Sequence, residues 1–219
     1  MNKLEKKINV ARAAIKFIKP GMTVGIGTGS TVNFLIEILP EIRNKIKSIV
    51  SSSEASTLLL KKYDFTVTNL NDVGKYDIYI DGADESNSQL QLIKGGGGAL
   101  TREKILACAA RKFICIIDDS KLVKTLGNFP LPIEILPMAQ KLIEQRIIEM
   151  SGKPVWREDF ITDNGNFILD IHDLKISDPI KMEGLINEIP GVISVGIFAK
   201  KAADILLIGS NQGVEEIRR

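Results

Sequence analysis

Apolar and polar positions follow two alternating periods through the first half of the chain. Residues 22–27 form a short apolar run that ends in glycines, and apolar positions with helical spacing follow it as far as Pro40. The same succession of apolar run and helical pattern then recurs. Repeated strand–helix units of this size favour a parallel sheet covered on both faces. The predicted strands are residues 22–27, 47–50, 65–68, 77–81 and 113–117, and the predicted helices are 31–39, 53–62 and 101–111.

The second half of the chain has a different pattern. Its predicted order is strand, helix, strand, strand, helix, strand, which is typical of a ferredoxin-like α+β domain. Asn164-Gly165 is a strong hairpin signal, and Asp178-Pro179 is typical of a helix start. The elements are residues 131–136, 138–150, 155–158, 167–171, 178–188 and 192–198, and a buried strand at 204–209 then returns to the first domain. We therefore predict an α/β fold with a Rossmann-like parallel-sheet domain (1–128 plus 205–219) and a smaller ferredoxin-like α+β domain (129–204).

Composition narrows the class of protein. The chain has 219 residues, of which 44% are hydrophobic and 26% charged, as expected of a globular protein with a buried core. The net charge of +2 gives no overall field for nucleic acid or an anionic membrane. No apolar run approaches the roughly 20 residues that span a bilayer. We expect neither nucleic acid nor a membrane as a partner.

The N-terminal residues and the cysteines indicate the compartment. Four lysines and Arg12 lie within the first 16 residues, and no uninterrupted apolar segment precedes Lys19-Pro20, so no secretory signal is expected. Two cysteines cannot build the disulfide framework of a small secreted protein. We interpret Cys108 and Cys115 as small core residues of a cytoplasmic protein.

The first motif with candidate chemistry is residues 25–31, Gly-Ile-Gly-Thr-Gly-Ser-Thr, between a predicted strand and a predicted helix. Glycines bring backbone amides close to a ligand, and a helix N-terminus favours an anion. Hydroxyl donors are supplied by Thr28, Ser30 and Thr31. Ser30 occupies the third glycine position of a dinucleotide fingerprint, and no Gly-Lys-Ser/Thr completes a P-loop. The motif predicts a phosphate cradle, with a plain strand–helix turn as the alternative.

The second motif is residues 81–85, Asp-Gly-Ala-Asp-Glu, at the end of an apolar strand. Ligands of open α/β sheets bind beyond the carboxyl ends of strands, and a carboxylate buried there is costly unless it is paired or functional. Asp81 and Asp84 could both turn inward. The alternatives are a solvated acidic turn and a divalent-metal site, although no His or Cys cluster accompanies it. The single histidine, His172, is predicted to be structural.

The third motif is residues 94–104, in which four glycines separate Lys94 from an apolar helix. Bare backbone of this kind can surround an oxyanion, and Lys94 adds a cation. Glu103 falls in the first helical turn, where an acidic residue is often only a helix-capping partner. Taken with the other two motifs, the residue types suit proton transfer next to a carbonyl of a phosphorylated sugar.

Eight separated motifs, in order along essentially the whole chain, carry a family resemblance. They are residues 25–31, Ser51-Ser52-Ser53 with Ser56-Thr57, 81–85, 94–104, Asp119-Ser120-Lys121, Phe129-Pro130-Leu131-Pro132, 162–166 and 189–192. Together they resemble ribose-5-phosphate isomerase of type A. Gly98 is often Ala in that family, and the other positions that matter agree.

The resemblance implies a function and a role for each site residue. The implied reaction interconverts ribose 5-phosphate and ribulose 5-phosphate, a step of the pentose phosphate pathway, through a cis-enediolate. Glu103 would be the base, Asp81 and Asp84 would handle the sugar hydroxyls and ring opening, and Lys94 would steady the oxyanion. Neither a metal nor an organic cofactor is implied, and a homodimer or homotetramer is expected. The implied substrate-binding residues are Thr28, Gly29, Ser30, Thr31, Gly82, Ala83, Gly95, Gly96, Gly97, Lys121 and Lys7.

Other functions remain as alternatives at this point. A sugar-phosphate sensor would need the phosphate cradle but not the four catalytic candidates together, and no DNA-binding helix-turn-helix is evident. An amino-sugar phosphate isomerase-deaminase or a lactonase would be expected to offer a catalytic histidine, and His172 lies on a strand of the other predicted domain. Ser30 disfavours a dinucleotide-dependent dehydrogenase, although Glu54 is a conceivable ribose ligand after the second strand.

Overall fold

The structure is a computed structural model that describes residues 1–219. The α-helices are α1 Lys3–Ala14, α2 Ser30–Ile38, α3 Glu54–Lys62, α4 Leu70–Val73, α5 Leu100–Ala109, α6 Gln140–Glu149 and α7 Pro179–Asn187. The strands are β1 Met22–Ile26, β2 Ile46–Ser51, β3 Tyr76–Asp81, β4 Glu85–Ser86, β5 Leu92–Ile93, β6 Ala110–Asp118, β7 Leu131–Ile135, β8 Lys153–Trp156, β9 Phe167–His172, β10 Val192–Val195, β11 Ile197–Phe198, β12 Ile205–Ser210 and β13 Gly213–Arg218. Short 3-10 helices occupy Ile15–Phe17, Leu39–Lys45, Asp119–Lys121 and Pro137–Ala139.

The chain divides into two compact units. The first comprises Met1–Ala83, Arg102–Leu122 and Ala203–Arg219, and the second comprises Asp84–Thr101 and Val123–Ala202. The predicted domains, residues 1–128 plus 205–219 and residues 129–204, are regions expected to fold separately. That division stays a prediction. No helix combines the length and the apolar character that crossing a membrane requires.

A six-stranded sheet forms the centre of the first unit. Its order is β13-β12-β6-β3-β1-β2, and every neighbouring pair is parallel except the hairpin of β12 and β13. The inner strands are apolar on both faces: Ile78, Tyr79 and Ile80 of β3 are all buried, as a parallel sheet covered on two sides requires. This confirms the predicted α/β class and its parallel sheet.

Strand order in this sheet brings two of the motifs together. β1 lies directly beside β3, with Ile26 opposite Ile80, so both strands end at the same edge of the sheet. The turn after β1 therefore meets Asp81, the last residue of β3. Candidate residues that are more than 50 positions apart in the chain become neighbours through this pairing.

The second unit contains a four-stranded antiparallel sheet of order β10-β7-β9-β8. The chain order β7-α6-β8-β9-α7-β10 is the predicted ferredoxin-like order. Alternation along β7 places Leu131, Ile133 and Ile135 in an apolar core with Ile143 and Ile147 of α6. A separate three-stranded sheet has the order β11-β5-β4.

The sequence predictions differ from the structure at several points. Residues 65–68 form only an isolated bridge between Val67 and Ile49 instead of a strand. The strand predicted at 192–198 is split at Gly196, whose backbone approaches Lys94 so closely that a Cβ there would lie 2.3 Å from the Lys94 carbonyl oxygen. The edge strand β13, in which half of the residues are charged, was not predicted, and neither were the two-residue strands β4 and β5. Cys108 is exposed, so its assignment to the core was wrong, whereas Cys115 is buried as predicted.

Candidate active site

Asp81 organises the edge of the first sheet. Its carboxylate is fully buried at the end of β3, where it accepts hydrogen bonds from backbone and side chain. Oδ1 accepts from the backbone N–H groups of Thr28 (2.9 Å) and Gly82 (2.7 Å), and Oδ2 accepts from the hydroxyl of Tyr79 (2.5 Å). A buried carboxylate requires such donors, because an unsatisfied charge away from water is strongly unfavourable. Asp81 therefore ties the turn after β1 to the end of β3.

Gly27 makes this approach possible. A Cβ built on Gly27 would lie 1.9 Å from Oδ1 of Asp81, which is far inside van der Waals contact. The next glycine, Gly29, has φ of +117° and precedes the first turn of α2. The glycines of residues 25–31 thus serve close backbone approach to Asp81 and a left-handed turn, whereas the phosphate cradle stays a prediction.

A cluster of hydroxyl groups surrounds Thr28. Its Oγ1 lies 2.9 Å from Oγ of Ser52 and 2.8 Å from Oγ of Ser53, and Ser56 donates to the carbonyl oxygen of Gly27 at 2.7 Å. Ser52, Ser53 and Ser56 were not predicted as site residues. The available signal was the run of serines that follows β2, which was used only as part of the family resemblance; Ser53 is also the N-cap of α3.

Two lysines of α1 contact the start of α2 and the 3-10 turn of residues 119–121. The Nζ atom of Lys7, on α1, donates to Oγ of Ser30 at 2.7 Å. The neighbouring Lys6 forms an ion pair of 2.7 Å with Asp119, in the same 3-10 turn that carries Lys121. The Lys6 ammonium lowers the pKa of the exposed Asp119 carboxyl. Together with the N-terminus of α2, Lys7 makes this edge suitable for an anion.

Glu103 is, with Asp81 and Asp118, one of the buried carboxylates of the first unit. It lies in the first turn of α5, with 4% of its surface exposed. Burial raises the pKa of Tyr79 well above its ordinary value, and the negative charges of Asp81 and Glu103 raise it further. Both carboxylates thus act on one buried phenol, which stays protonated and can donate to Asp81.

In the second unit, the glycine loop of residues 94–98 is held by Asp84. The Oδ2 atom of Asp84 accepts from the N–H of Gly96 at 2.8 Å, and Gly98 N–H donates to the Gly95 carbonyl at 2.8 Å. A Cβ on Gly96 would lie 2.7 Å from Oδ1 of Asp84, so glycine is required for this contact too. Lys94 is 2% exposed, and its ammonium lies 5.6 Å from the ring centroid of Phe198.

Arg157 also holds the glycine loop, and it was not predicted. Its guanidinium donates to the carbonyl oxygens of Gly95 (3.5 Å) and Gly96 (3.2 Å), and it forms a 2.6 Å ion pair with Asp170. No sequence signal joins Arg157 to a loop 61 residues away. Because Arg157 engages the carbonyl side of the loop, it fixes the direction in which the amides point.

The predicted residues are distributed over both units. Within the first unit the structure brings Thr28 beside Asp81, and Ser30 beside Lys7. Within the second unit it brings Asp84 beside Gly96. The first unit holds Lys7, Thr28, Gly29, Ser30, Thr31, Asp81, Gly82, Ala83, Glu103 and Lys121, and the second holds Asp84, Lys94, Gly95, Gly96 and Gly97.

Two residues considered for other chemistries have different surroundings. Glu54, the conceivable ribose ligand, is the first residue of α3 and forms a 2.8 Å ion pair with Arg102. His172 is the last residue of β9, a strand of the second unit. No three His, Cys, Asp or Glu side chains are grouped in a way that could hold a metal ion.

Comparison with known proteins assigns this arrangement to a family. The sequence model of ribose 5-phosphate isomerase A (phosphoriboisomerase A) matches residues 48–213. The ribose-5-phosphate isomerase A of Baumannia cicadellinicola subsp. Homalodisca coagulata is 54% identical over 211 residues, which are 96% of this chain and 95% of that protein.

Solved structures agree with this assignment. Ribose 5-phosphate isomerase A from Neisseria gonorrhoeae is 47% identical, with a TM-score of 0.97 over 99% of this chain and 97% of that one. A D-ribose-5-phosphate isomerase in complex with phospho-erythronic acid is 42% identical, with a TM-score of 0.95 over all of both chains. Since sequence and fold match over nearly the full length, this chain belongs to the ribose 5-phosphate isomerase A family.

Proposed function

We propose that this chain interconverts ribose 5-phosphate and ribulose 5-phosphate by moving one proton between C1 and C2. The observation that carries the proposal is the pair of buried carboxylates, Asp81 and Glu103, in the unit that also presents an anion site at Ser30 and Lys7. A carboxylate base serves the carbon acid, and the anion site serves the phosphate. The relative that is bound to phospho-erythronic acid, a phosphorylated sugar acid, supports the same substrate class.

In the proposed reaction Glu103 is the base. Its carboxylate takes the proton from C2 of the open-chain aldose phosphate, and the electrons of that C–H bond form the C1–C2 double bond of a cis-enediolate. The same carboxyl then returns the proton to C1, while the hydroxyl proton moves from O2 to O1. Substrate and product are isomers, so the step needs no redox partner, and we propose that it requires neither a metal nor an organic cofactor.

The remaining candidate residues stabilise charge and bind the sugar. We assign Lys94 to the developing oxyanion, since a cation that is 2% exposed acts in surroundings where electrostatic interactions are strong. We assign Asp81 and Asp84 to binding the sugar hydroxyls and to assisting the opening of the sugar ring. For the phosphate and the rest of the sugar we assign the residues at the anion site, the glycine loop and the 3-10 turn: Lys7, Thr28, Gly29, Ser30, Thr31, Gly82, Ala83, Gly95, Gly96, Gly97 and Lys121.

The proposal also covers the oligomeric state of the chain and its cellular compartment. Met138 is 94% exposed, and Leu142 and Ile148 of α6 are exposed as well, so we propose that a second copy of the chain covers this surface in a homodimer or homotetramer. Cys108 is an exposed free thiol, which is typical of a reducing compartment. We therefore propose a cytoplasmic enzyme of the pentose phosphate pathway.

The decisive test mixes the purified, chelator-treated protein with ribose 5-phosphate and follows ketose formation, with neither nucleotide nor metal added. Rapid conversion is expected. A folded protein that binds the sugar phosphate without converting it would contradict the proposal and favour a sensor or a different substrate.

A further inference from the structure

Glu134 is a buried carboxylate that the proposed reaction does not use. It lies on β7 and is fully buried, on the opposite side of the strand from the apolar residues of the core. Four side chains donate to it: Thr101 (2.5 Å) to Oε2, and Thr162 (2.9 Å), Asn164 (3.0 Å) and Asn166 (2.9 Å) to Oε1. Such a set of donors offsets the cost of burying the charge and gives the carboxylate a single orientation.

One of these four donors, Thr101, lies on a different element from the other three. Thr162, Asn164 and Asn166 belong to the turn that precedes β9, whereas Thr101 is the second residue of α5. The helix carries Glu103 as its fourth residue, one turn from its start. The Thr101 hydroxyl therefore connects the first turn of α5 to a rigid carboxylate.

The sequence before α5 does not define where the helix starts. Residues 95–98 are glycines, which leave the backbone many conformations, and Ala99 has no side-chain oxygen of the kind that a Ser, Thr, Asp or Asn would offer before a helix. The hydrogen bond from Thr101 to Glu134 supplies a tertiary contact that holds this first turn.

We propose that Glu134 and Thr101 are positioning residues for Glu103. Their hydrogen bond fixes the first turn of α5 and with it the direction from which the Glu103 carboxylate approaches the carbon-bound proton. The inference rests on the proposed function, in which Glu103 is the base. Neither Thr101 nor Glu134 touches the substrate in this proposal, so their loss acts on turnover more than on binding.

The test compares Thr101→Val with Thr162→Val. Each substitution keeps the shape of the side chain and removes one hydroxyl donor to the same carboxylate. Thr162→Val also removes an acceptor for the N–H groups of Asn164 (3.2 Å) and Asn166 (3.1 Å), so it should destabilise the fold at least as much. A purely structural role of the network would therefore give the larger loss of activity in Thr162→Val.

The positioning role predicts the opposite order. A misplacement of about 1 Å in a reacting group can cost on the order of 100-fold in rate, so we expect kcat of Thr101→Val to fall by about 10- to 100-fold, with KM changed by less than about threefold. Thr162→Val should stay within about threefold of the wild-type kcat. Thr101→Ser retains the hydroxyl and should recover most of the loss. The deuterium isotope effect with substrate labelled at C2 should increase in Thr101→Val alone, because proton transfer becomes slower.

Each outcome decides a different point. Equal kcat values in the two valine variants, or no recovery in Thr101→Ser, would overturn the positioning role. Turnover by the wild-type chain would still support the proposed function in that case. No turnover by the wild-type chain would overturn the proposed function and this inference with it. If Thr101→Val does not fold, Thr101→Ala and Thr162→Ala carry the same comparison, since alanine is well tolerated in a helix.

Discussion

At the scale of single residues, the site consists of buried carboxylates and the groups that hold them. Asp81 accepts from two backbone amides and one phenol. Glu103, by contrast, lies in a helical turn and is the residue to which we assign the chemistry. The two carboxylates therefore have separate tasks in the proposal: one shapes the site and contacts hydroxyls, and the other moves the proton.

Glu103→Gln is expected to lose most turnover, with a decrease in kcat on the order of 1000-fold, because an amide of the same shape cannot accept the proton. Substrate binding should largely survive. Single-turnover rates and direct measurement of sugar-phosphate binding would separate the two effects, with the wild-type chain as the reference. Normal turnover in this variant would contradict the assignment of the base.

Tyr79 leads to a prediction about pH. Burial, followed by the charges of Asp81 and Glu103, raises the pKa of Tyr79 above its ordinary value of 10.0 in the folded chain. The folded chain thus holds this proton more tightly than the unfolded chain does, so the stabilisation is fully present below pH 10.0 and is lost as the pH rises above it. The free energy of unfolding should fall by up to about 1.4 kcal/mol per pH unit more in the wild type than in Tyr79→Phe.

Denaturant titrations of both chains from about pH 9 to about pH 11 would measure this difference. Tyr76, whose pKa is raised by burial and by the charge of Asp81, is present in both chains and cancels in the comparison. The same pH dependence in both chains would contradict the role of Tyr79.

At the scale of elements, the turns at the ends of strands place backbone against side chain. The turn after β1 can approach Asp81 only because Gly27 has no side chain. The glycine loop of residues 94–98 is held by Asp84 from its amide side and by Arg157 from its carbonyl side. These turns derive their shape from contacts that are distant in sequence.

Gly27→Ala should displace Asp81 and release its hydrogen bond from Thr28, because the added Cβ would lie 1.9 Å from Oδ1. We expect a loss of about 1–3 kcal/mol in the free energy of unfolding, together with reduced activity. The matched control is Gly184→Ala in the interior of α7, where the nearest atom is the flexible end of Lys200 at 3.2 Å. That variant should be neutral or up to about 1 kcal/mol more stable, and equal effects at both sites would contradict the argument.

Arg157→Met is expected to loosen the glycine loop, because its guanidinium is the donor to the carbonyls of Gly95 and Gly96. We expect kcat/KM to fall by about 10-fold or more, corresponding to about 1.4 kcal/mol. Arg146→Met is the control, since Arg146 forms an exposed ion pair with Glu149 on α6 and such pairs contribute little. Steady-state kinetics on both variants would check this, and a similar kcat/KM for the two would show that the Arg157 contacts do not support the site.

At the scale of the whole molecule, the prediction to test is assembly into a homodimer or homotetramer. Light scattering during size-exclusion chromatography should give two or four times the mass of the chain. Met138→Glu together with Ile148→Glu should shift the mass towards the monomer, because each places a charge on the apolar surface proposed to be covered. The matched control is the pair Lys61→Glu and Lys62→Glu at the exposed end of α3. A wild-type monomer, or a mass unchanged by the first pair, would contradict the proposed interface.

Most elements of the fold follow from local pattern. The strand–helix repeats of the first unit and the β7-α6-β8-β9-α7-β10 order of the second were predicted, because burial of one or both faces determines the spacing of apolar residues. The exceptions have tertiary causes. Residues 65–68 have the composition of a strand but pair at one position, and the strand at 192–198 is interrupted where Gly196 meets the backbone of Lys94. Cys108 lies in a helix as predicted but on an exposed position.

The sequence by itself determined the α/β class, the motifs at residues 25–31, 81–85 and 94–104, and the resemblance to the family, because residue type and short spacing carry that information. Only the tertiary structure decided that Asp81 is engaged by Thr28, that Arg157 contacts Gly96, and that Glu134 contacts Thr101. The contacts of Arg157 with the glycine loop join residues up to 62 positions apart. Strand order and loop packing bring such residues together, and neither is encoded in the local pattern of the chain.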